Sequence, residues 1–143
     1  MRSIGVSNFK PEHLERVIAE TGVTPAINQV ELHPHFQQVG LRREHERLGI
    51  VTESWGPLGQ GLELEDPAIV GIAQAHGKSP AQTIIRWHLQ IGAVVIPKSV
   101  TPSRIAENFD VLDFELSGEQ LDAIAALDAG TRIGPDPNTF VRP

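Results

Sequence analysis

The chain has 143 residues with 18 acidic and 12 basic side chains, a formal net charge of −6, which excludes the basic field that holds nucleic acid or an anionic membrane. It contains no cysteine, so disulfides, thiolate metal sites and thiol catalysis are excluded, and a reducing cytoplasm is the expected location. Hydrophobic residues at 40% and charged residues at 21% describe an ordinary globular domain, expected to be one unit over residues 1–143.

The start, MRSIGVSNFK, has neither the apolar centre nor the small-residue cleavage site of a secretory signal. No window approaches the roughly 18 apolar residues of a membrane-spanning helix. A first short strand is expected over Ser3 to Val6, then a helix from Pro11 to Glu20 with Leu14, Val17 and Ile18 on one face. Ala26 to Leu32 (AINQVEL) is expected to be the second strand. Gln38 to Leu48 follows as a charged helix with few apolar anchors, stopped by Gly49. Ile50 to Trp55 (IVTESW) is the third strand, and GPLGQG the loop after it.

Three helix starts then share a signature, a capping residue followed by proline: Asp66-Pro67, Ser79-Pro80 and Thr101-Pro102. The cap side chain accepts from an orphan N–H, and proline at the first helical position gives up nothing. Gln82 completes a capping box with Ser79. Between the last two starts, Ala93 to Pro97 (AVVIP) is near-continuously apolar, the pattern of a strand buried on both faces. A last helix is expected over Ser117 to Asp128, with Ser117 and Gln120 as a second capping box and Leu121, Ile124 and Leu127 inward. The tail TRIGPDPNTFVRP is expected to be irregular.

The order β-α-β-α-β-α-α-β-α-α means α/β with a parallel sheet. Two architectures compete. A doubly wound sheet usually has a glycine fingerprint after its first strand, and GVSNF lacks GxGxxG. A (β/α)8 barrel takes about 250 residues, and four strands are half of one.

Chemistry concentrates where strands end. Lys98 and Ser99 close the apolar strand, Pro102 opens a helix, and Arg104 sits in its first turn. Helix N-termini attract anions, and a guanidinium grips phosphate bidentately. With the Lys98 charge and the Ser99 hydroxyl, the group suits a phosphate monoester; an ordinary capped helix with solvated cations is the competing reading. Ser7 and Asn8 follow the first strand, Gln29 lies on the second and Trp55 ends the third. In a barrel all four point to one face; the amides and hydroxyl suit a carboxamide, and Trp55 offers a flat face to a ring. Taken singly, each also reads as a cap, a satisfied buried amide or a core aromatic.

GVSNF, NQVELHP, ESWGPLGQG and PKSVTPSRIAENF, in this order, resemble the aldo-keto reductases, and the tail GPDPNTF looks like that family's C-terminal segment. ESWGPLGQG with RWHLQ most resembles the bacterial branch that includes 2,5-diketo-gluconate reductases. The resemblance covers essentially the whole chain. It implies a (β/α)8 TIM barrel binding NADPH in extended form, with this chain as its C-terminal half, strands five to eight. Ser7, Asn8 and Gln29 match the residues that hold the nicotinamide carboxamide, and Trp55 the aromatic that stacks on its ring. Leu58 and Gln60 match the loop beside the pyrophosphate. Lys98, Ser99 and Arg104 match the clamp on the adenosine 2′-phosphate, with Val100 contributing backbone, and Glu107 and Asn108 match the pair near adenine.

The family's catalytic tyrosine, lysine, aspartate and histidine lie upstream of the segment that GVSNF matches, and this chain has no tyrosine. No catalytic residue is therefore assigned. His33 and His35 offer a replacement acid or a metal pair, but the family carries a similar NQVELHP stretch as structure, and two histidines without a third ligand make a weak site. The expectation is the cofactor-binding half of an NADPH-dependent reductase of small carbonyl substrates, without turnover by itself. The alternative is a non-catalytic half barrel that self-associates or pairs with an N-terminal half; a phosphate-metabolite binder using only Lys98 and Arg104 is a third reading. The substrate pocket would draw on Trp55 and on Pro135 to Phe140.

Overall fold

A computed structural model describes residues 2–139. Phe140, the end of the expected substrate loop, lies outside the described residues. The elements follow the expected order: β1 (Gly5–Ser7), α1 (Pro11–Thr21), β2 (Ile27–Glu31), α2 (Val39–Leu48), β3 (Val51–Trp55), α3 (Pro67–His76), α4 (Pro80–Gln90), β4 (Val94–Val95), α5 (Pro102–Phe109) and α6 (Gly118–Ala125). A 3₁₀ turn over Gly59–Gly61 lies between β3 and α3.

The four strands form one parallel sheet in the order β1-β2-β3-β4. Ser7, Gln29, Glu53 and Val94 lie in one row across it, and Glu31 lies opposite Trp55. The first strand begins later than expected, because its ladder starts where Gly5 meets Ile27. Only glycine fits there: a Cβ on Gly5 would stand 2.7 Å from the Ile27 side chain.

Alternation along the strands separates two faces. Asn28, Val30, Thr52 and Ser54 are buried and face the helices. His45 of α2 bridges Asn28 and Thr52, at 2.9 and 2.8 Å, and His88 of α4 meets the Ser54 hydroxyl at 3.0 Å. The opposite face carries Gln29, Glu53 and Trp55, half-buried, and Val51 and Val94, exposed. A doubly wound sheet would cover both faces. Here the helices just named cover the one on which Asn28 and Ser54 lie.

The expected strand Ala93 to Pro97, buried on both faces, is corrected. Only Val94 and Val95 pair with β3, and Val94 and Ile96 are 43% and 51% exposed. The run is apolar, but it is an edge strand with a neighbour on one side only. The helix after it is also unlike its prediction. Thr101 makes no side-chain cap; its own N–H donates instead to the Ser99 hydroxyl at 3.2 Å. No residue of α5 is buried, and Phe109 is 81% exposed, with Val100 and Leu112 exposed beside it.

The other caps form as the sequence implies. The Asp66 carboxylate accepts from the Ala68 N–H at 2.9 Å, and Ser79–Gln82 and Ser117–Gln120 make reciprocal capping boxes. Gly49 ends α2 in the left-handed region that glycine tolerates. The main apolar core lies between α3, α4 and α6, where Ile69, Ile84, Trp87 and Ile124 are buried and Leu121 and Leu127 pack at its margin. None of the described helices is long and apolar enough to cross a membrane.

Candidate functional site

Two groups of side chains stand at the C-terminal ends of the strands. The first joins β1, β2 and β3. The Ser7 hydroxyl donates to the Gln29 carbonyl at 3.1 Å, and the Asn8 amide donates to the Ser7 hydroxyl at 3.1 Å. The Trp55 indole N–H donates to the Asn8 side-chain oxygen at 2.9 Å. Asn8 takes a left-handed backbone conformation (φ 58°), which asparagine tolerates better than most residues, and its N–H donates to the Gln29 carbonyl at 2.8 Å. Asn28, fully buried beneath, holds the next residue from both sides: its amide donates to the Phe9 carbonyl and its oxygen accepts from the Phe9 N–H. Ser7, Asn8, Gln29 and Trp55 are therefore brought together. Sequence reading missed Glu53, whose carboxylate accepts from the Gln29 amide. After these bonds the Asn8 amide keeps a second N–H and the Gln29 side chain keeps its oxygen, a donor and an acceptor suited to a carboxamide.

The second group lines a cavity of about 450 Å³ between the end of β4, the first turn of α5 and the start of α4. Lys98, Ser99, Val100, Arg104, Glu107 and Asn108 all lie on its wall, as does Leu58. Gln60 lines an adjoining hollow that shares Leu58, Lys98 and Arg104 with the cavity and runs back along Gly56 and Pro57 towards Trp55. The hollow thus extends the cavity towards the loop after β3. The start of α4, at Ser79 to Ala81, and Leu64 also line the cavity and were not anticipated.

Several cations are paired, Lys10 with Asp136, Lys78 with Asp110 and Asp113, Arg86 with Glu115 and Arg132 with Glu31, while Arg42 and Arg43 of α2 are in no ion pair among the described residues. Among the described residues neither Lys98 nor Arg104 takes part in an ion pair. Two unpaired cations on the wall of a cavity, beside a hydroxyl and a helix start, fit a phosphate-bearing ligand.

The histidines of HPH do different work. His33, 1% exposed, stands between two carboxylates, with Nδ1 2.5 Å from Glu63 and Nε2 3.3 Å from Glu31. Burial pulls its pKa down, but the contacts with Glu63 and Glu31 outweigh this and raise it above the ordinary value. The half-buried His35 meets Asp66 at 3.3 Å. Among the described residues no group of three or more histidine or carboxylate side chains is disposed to hold a metal ion.

An open parallel α/β sheet with its polar groups gathered at the strand C-termini defines the class of protein. The particular family follows from comparison. Residues 1–129 match the Aldo/keto reductase family, and the chain belongs to it. It is 64% identical over 140 residues to an aldo-keto reductase of Mycolicibacterium smegmatis, covering 98% of this chain and 51% of that protein. It is 57% identical over 142 residues to the methylglyoxal reductase DkgA of Escherichia coli, covering 98% and 52%. Among solved structures, a variant of Gox0644 in complex with NADPH superposes with a TM-score of 0.96 at 55% identity, covering 99% of this chain and 52% of that one. A Bombyx mori aldo-keto reductase in complex with NADP does so at 0.87 and 32% identity, covering 94% and 47%. The chain spans about half the length of the relatives it matches.

Proposed function

We propose that this chain forms the NADP(H)-holding half of an aldo-keto reductase barrel, strands five to eight, and that the complete enzyme reduces small carbonyl compounds. The observation that carries this reading is the pair of unpaired cations, Lys98 and Arg104, on the wall of the 450 Å³ cavity. In it Lys98, Ser99 and Arg104 hold the adenosine 2′-phosphate, Val100 lends backbone, and Glu107 and Asn108 lie by the adenine. Leu58 and Gln60 flank the pyrophosphate. Ser7, Asn8 and Gln29 hold the carboxamide, and the nicotinamide ring lies against Trp55. NADPH, when bound, supplies the hydride. Dicarbonyls of the kind named for the Escherichia coli relative are the first substrates to try.

Carbonyl reduction also needs a proton for the developing alkoxide from an acid within hydrogen-bond reach. The chain has no tyrosine, and His33 is closed between Glu31 and Glu63. This half therefore binds cofactor without turnover. Titration of the purified chain with NADPH, followed by tryptophan fluorescence, is expected to show saturable quenching, weaker or absent with NADH. Steady oxidation of NADPH by added methylglyoxal, or no preference between the two nucleotides, would overturn the reading.

The second reading, self-association or pairing with an N-terminal half, is favoured by a different observation. Ile96 just after the edge strand β4, Ile105 and Phe109 of α5 and Leu112 beyond it are exposed and line one apolar hollow. Contiguous exposed apolar residues beside an unpaired sheet edge mark an association surface. Sedimentation velocity is expected to show mass rising with concentration, and Phe109→Asp to return the chain to monomer; a monomer at all concentrations counts against it.

A further inference from the structure

The segment after α6 crosses the C-terminal end of β2 as a strap. Its first part is tied by backbone: the Ala129 and Thr131 N–H groups both donate to the His35 carbonyl at 3.1 Å. Its second part is tied to one side chain. Glu31, 1% exposed, accepts from the Ile133 N–H at 2.5 Å, from the Gly134 N–H at 3.0 Å and from the Arg132 guanidinium at 3.1 Å. A carboxylate this deeply buried persists only when its oxygens are satisfied, and here the strap satisfies them together with His33. Arg132 also donates to the Pro135 carbonyl and lies over the Phe36 ring, 5.0 Å from its centroid, and Lys10 pins Asp136 at 3.0 Å.

The strap meets the site at one point. Glu31 is the register partner of Trp55, and Gly134 lies against the outer edge of that ring. A Cβ on Gly134 would overlap the outer edge of the Trp55 ring and stand 2.9 Å from a Glu31 oxygen. The same long edge of the ring is held by the bond from its indole N–H to Asn8. Together with the attachment at Cβ, contacts to both the pyrrole and the benzo part of that edge restrict the ring's tilt.

We infer that Glu31 and Gly134 are positioning residues for Trp55: the buried carboxylate fixes the strap, and the bare glycine backbone sets the tilt of the ring. The inference rests on the reading of Trp55 as the surface for the nicotinamide ring. It predicts a division of effects between the two groups of side chains. Disturbing the strap changes what binds at Trp55 and spares what binds at Lys98 and Arg104.

The experiment compares the parent chain, Gly134→Ala and Arg132→Ala, with NADPH and adenosine 2′-phosphate as the two probes. Each protein carries ¹⁵N-labelled indoles, and the two tryptophans, Trp55 and the buried Trp87, report separately. In Gly134→Ala the Trp55 indole resonance is expected to move while that of Trp87 stays. The Kd for NADPH should rise about tenfold and that for adenosine 2′-phosphate change by less than about twofold. Arg132→Ala, which adds no atom near the ring, should shift both readouts in the same direction by less, and it decides the matter if Gly134→Ala fails to fold. Unmoved Trp55 resonances, or equal losses for the two probes, overturn the inference. If the parent chain binds neither probe, the cofactor reading fails by itself, and the Trp55 resonance in the variants still decides whether the strap sets the ring.

Discussion

Arg104→Ala is expected to weaken NADPH binding by about thirtyfold while changing NADH binding little. The two nucleotides differ by one phosphate, so a contact made only to that phosphate appears only in the difference between them. A charge-assisted hydrogen bond to a phosphate is worth about 2 kcal/mol, which converts to that factor. Arg104 is exposed on the cavity wall with no carboxylate partner among the described residues, so removing it leaves no buried anion stranded and the fold should survive. Arg104→Lys should recover only part of the loss, because an ammonium cannot present the guanidinium's parallel pair of donors. Lys98→Ala should act in the same direction, and its effect should shrink in high salt, since both cations face solvent. Arg47→Ala, at an exposed arginine paired with Glu44 away from the cavity, is the control that should leave both affinities alone. Equal loss of NADPH and NADH affinity in Arg104→Ala would mean the cavity holds something other than the 2′-phosphate.

What the sequence made legible was whatever a local signal encodes. Asp66, Ser79 and Ser117 announce helix starts through side chains that reach only two or three residues along the chain, and each cap forms. Gly49 stops α2 for a reason contained in one residue, its tolerance of a left-handed backbone. The strap was not legible, because Glu31 and Gly134 are 103 residues apart in the chain and nothing local pairs them. A hint was present: a glutamate inside the apolar pattern of AINQVEL must be paid for by partners, and Glu53 in IVTESW poses the same question. The sequence reading of β4 failed for a related reason. AVVIP records that the run is apolar, but whether a strand lies at the centre or the edge of a sheet depends on its neighbours. Thr101 shows the limit of a motif: the capping residue and proline are both present, yet the neighbouring Ser99 hydroxyl takes the N–H of Thr101 itself and no side-chain cap forms.

Stability is expected to fall steadily as pH drops from about 6.5 towards 4, by roughly 3 kcal/mol from one residue. His88 is fully buried; its ring meets the Ile84 and Leu32 carbonyls at 2.9 and 3.1 Å and the Ser54 hydroxyl. Burial lowers its pKa to about 4, outweighing the two carbonyls, which favour the charged ring. Above the ordinary histidine value both folded and unfolded chains hold His88 neutral. Between that value and about 4 the unfolded chain takes up a proton that the folded chain refuses, so unfolding gains about 1.4 kcal/mol per pH unit. Below about 4 the folded ring charges too, and this contribution stops growing. His45, lowered by burial, acts with the same sign. His33 opposes them: its pKa is raised, so its contribution is full below the unfolded value and is lost as pH rises through the folded one. His88→Gln keeps a side-chain N–H for the Leu32 carbonyl and removes the titration. Urea unfolding at intervals from pH 7 to 4.5 should therefore show a slope in the parent chain that flattens in His88→Gln. Parallel slopes in the two proteins would mean that the imidazole of His88 already carries its proton in the fold, held by the two carbonyls against the cost of burial.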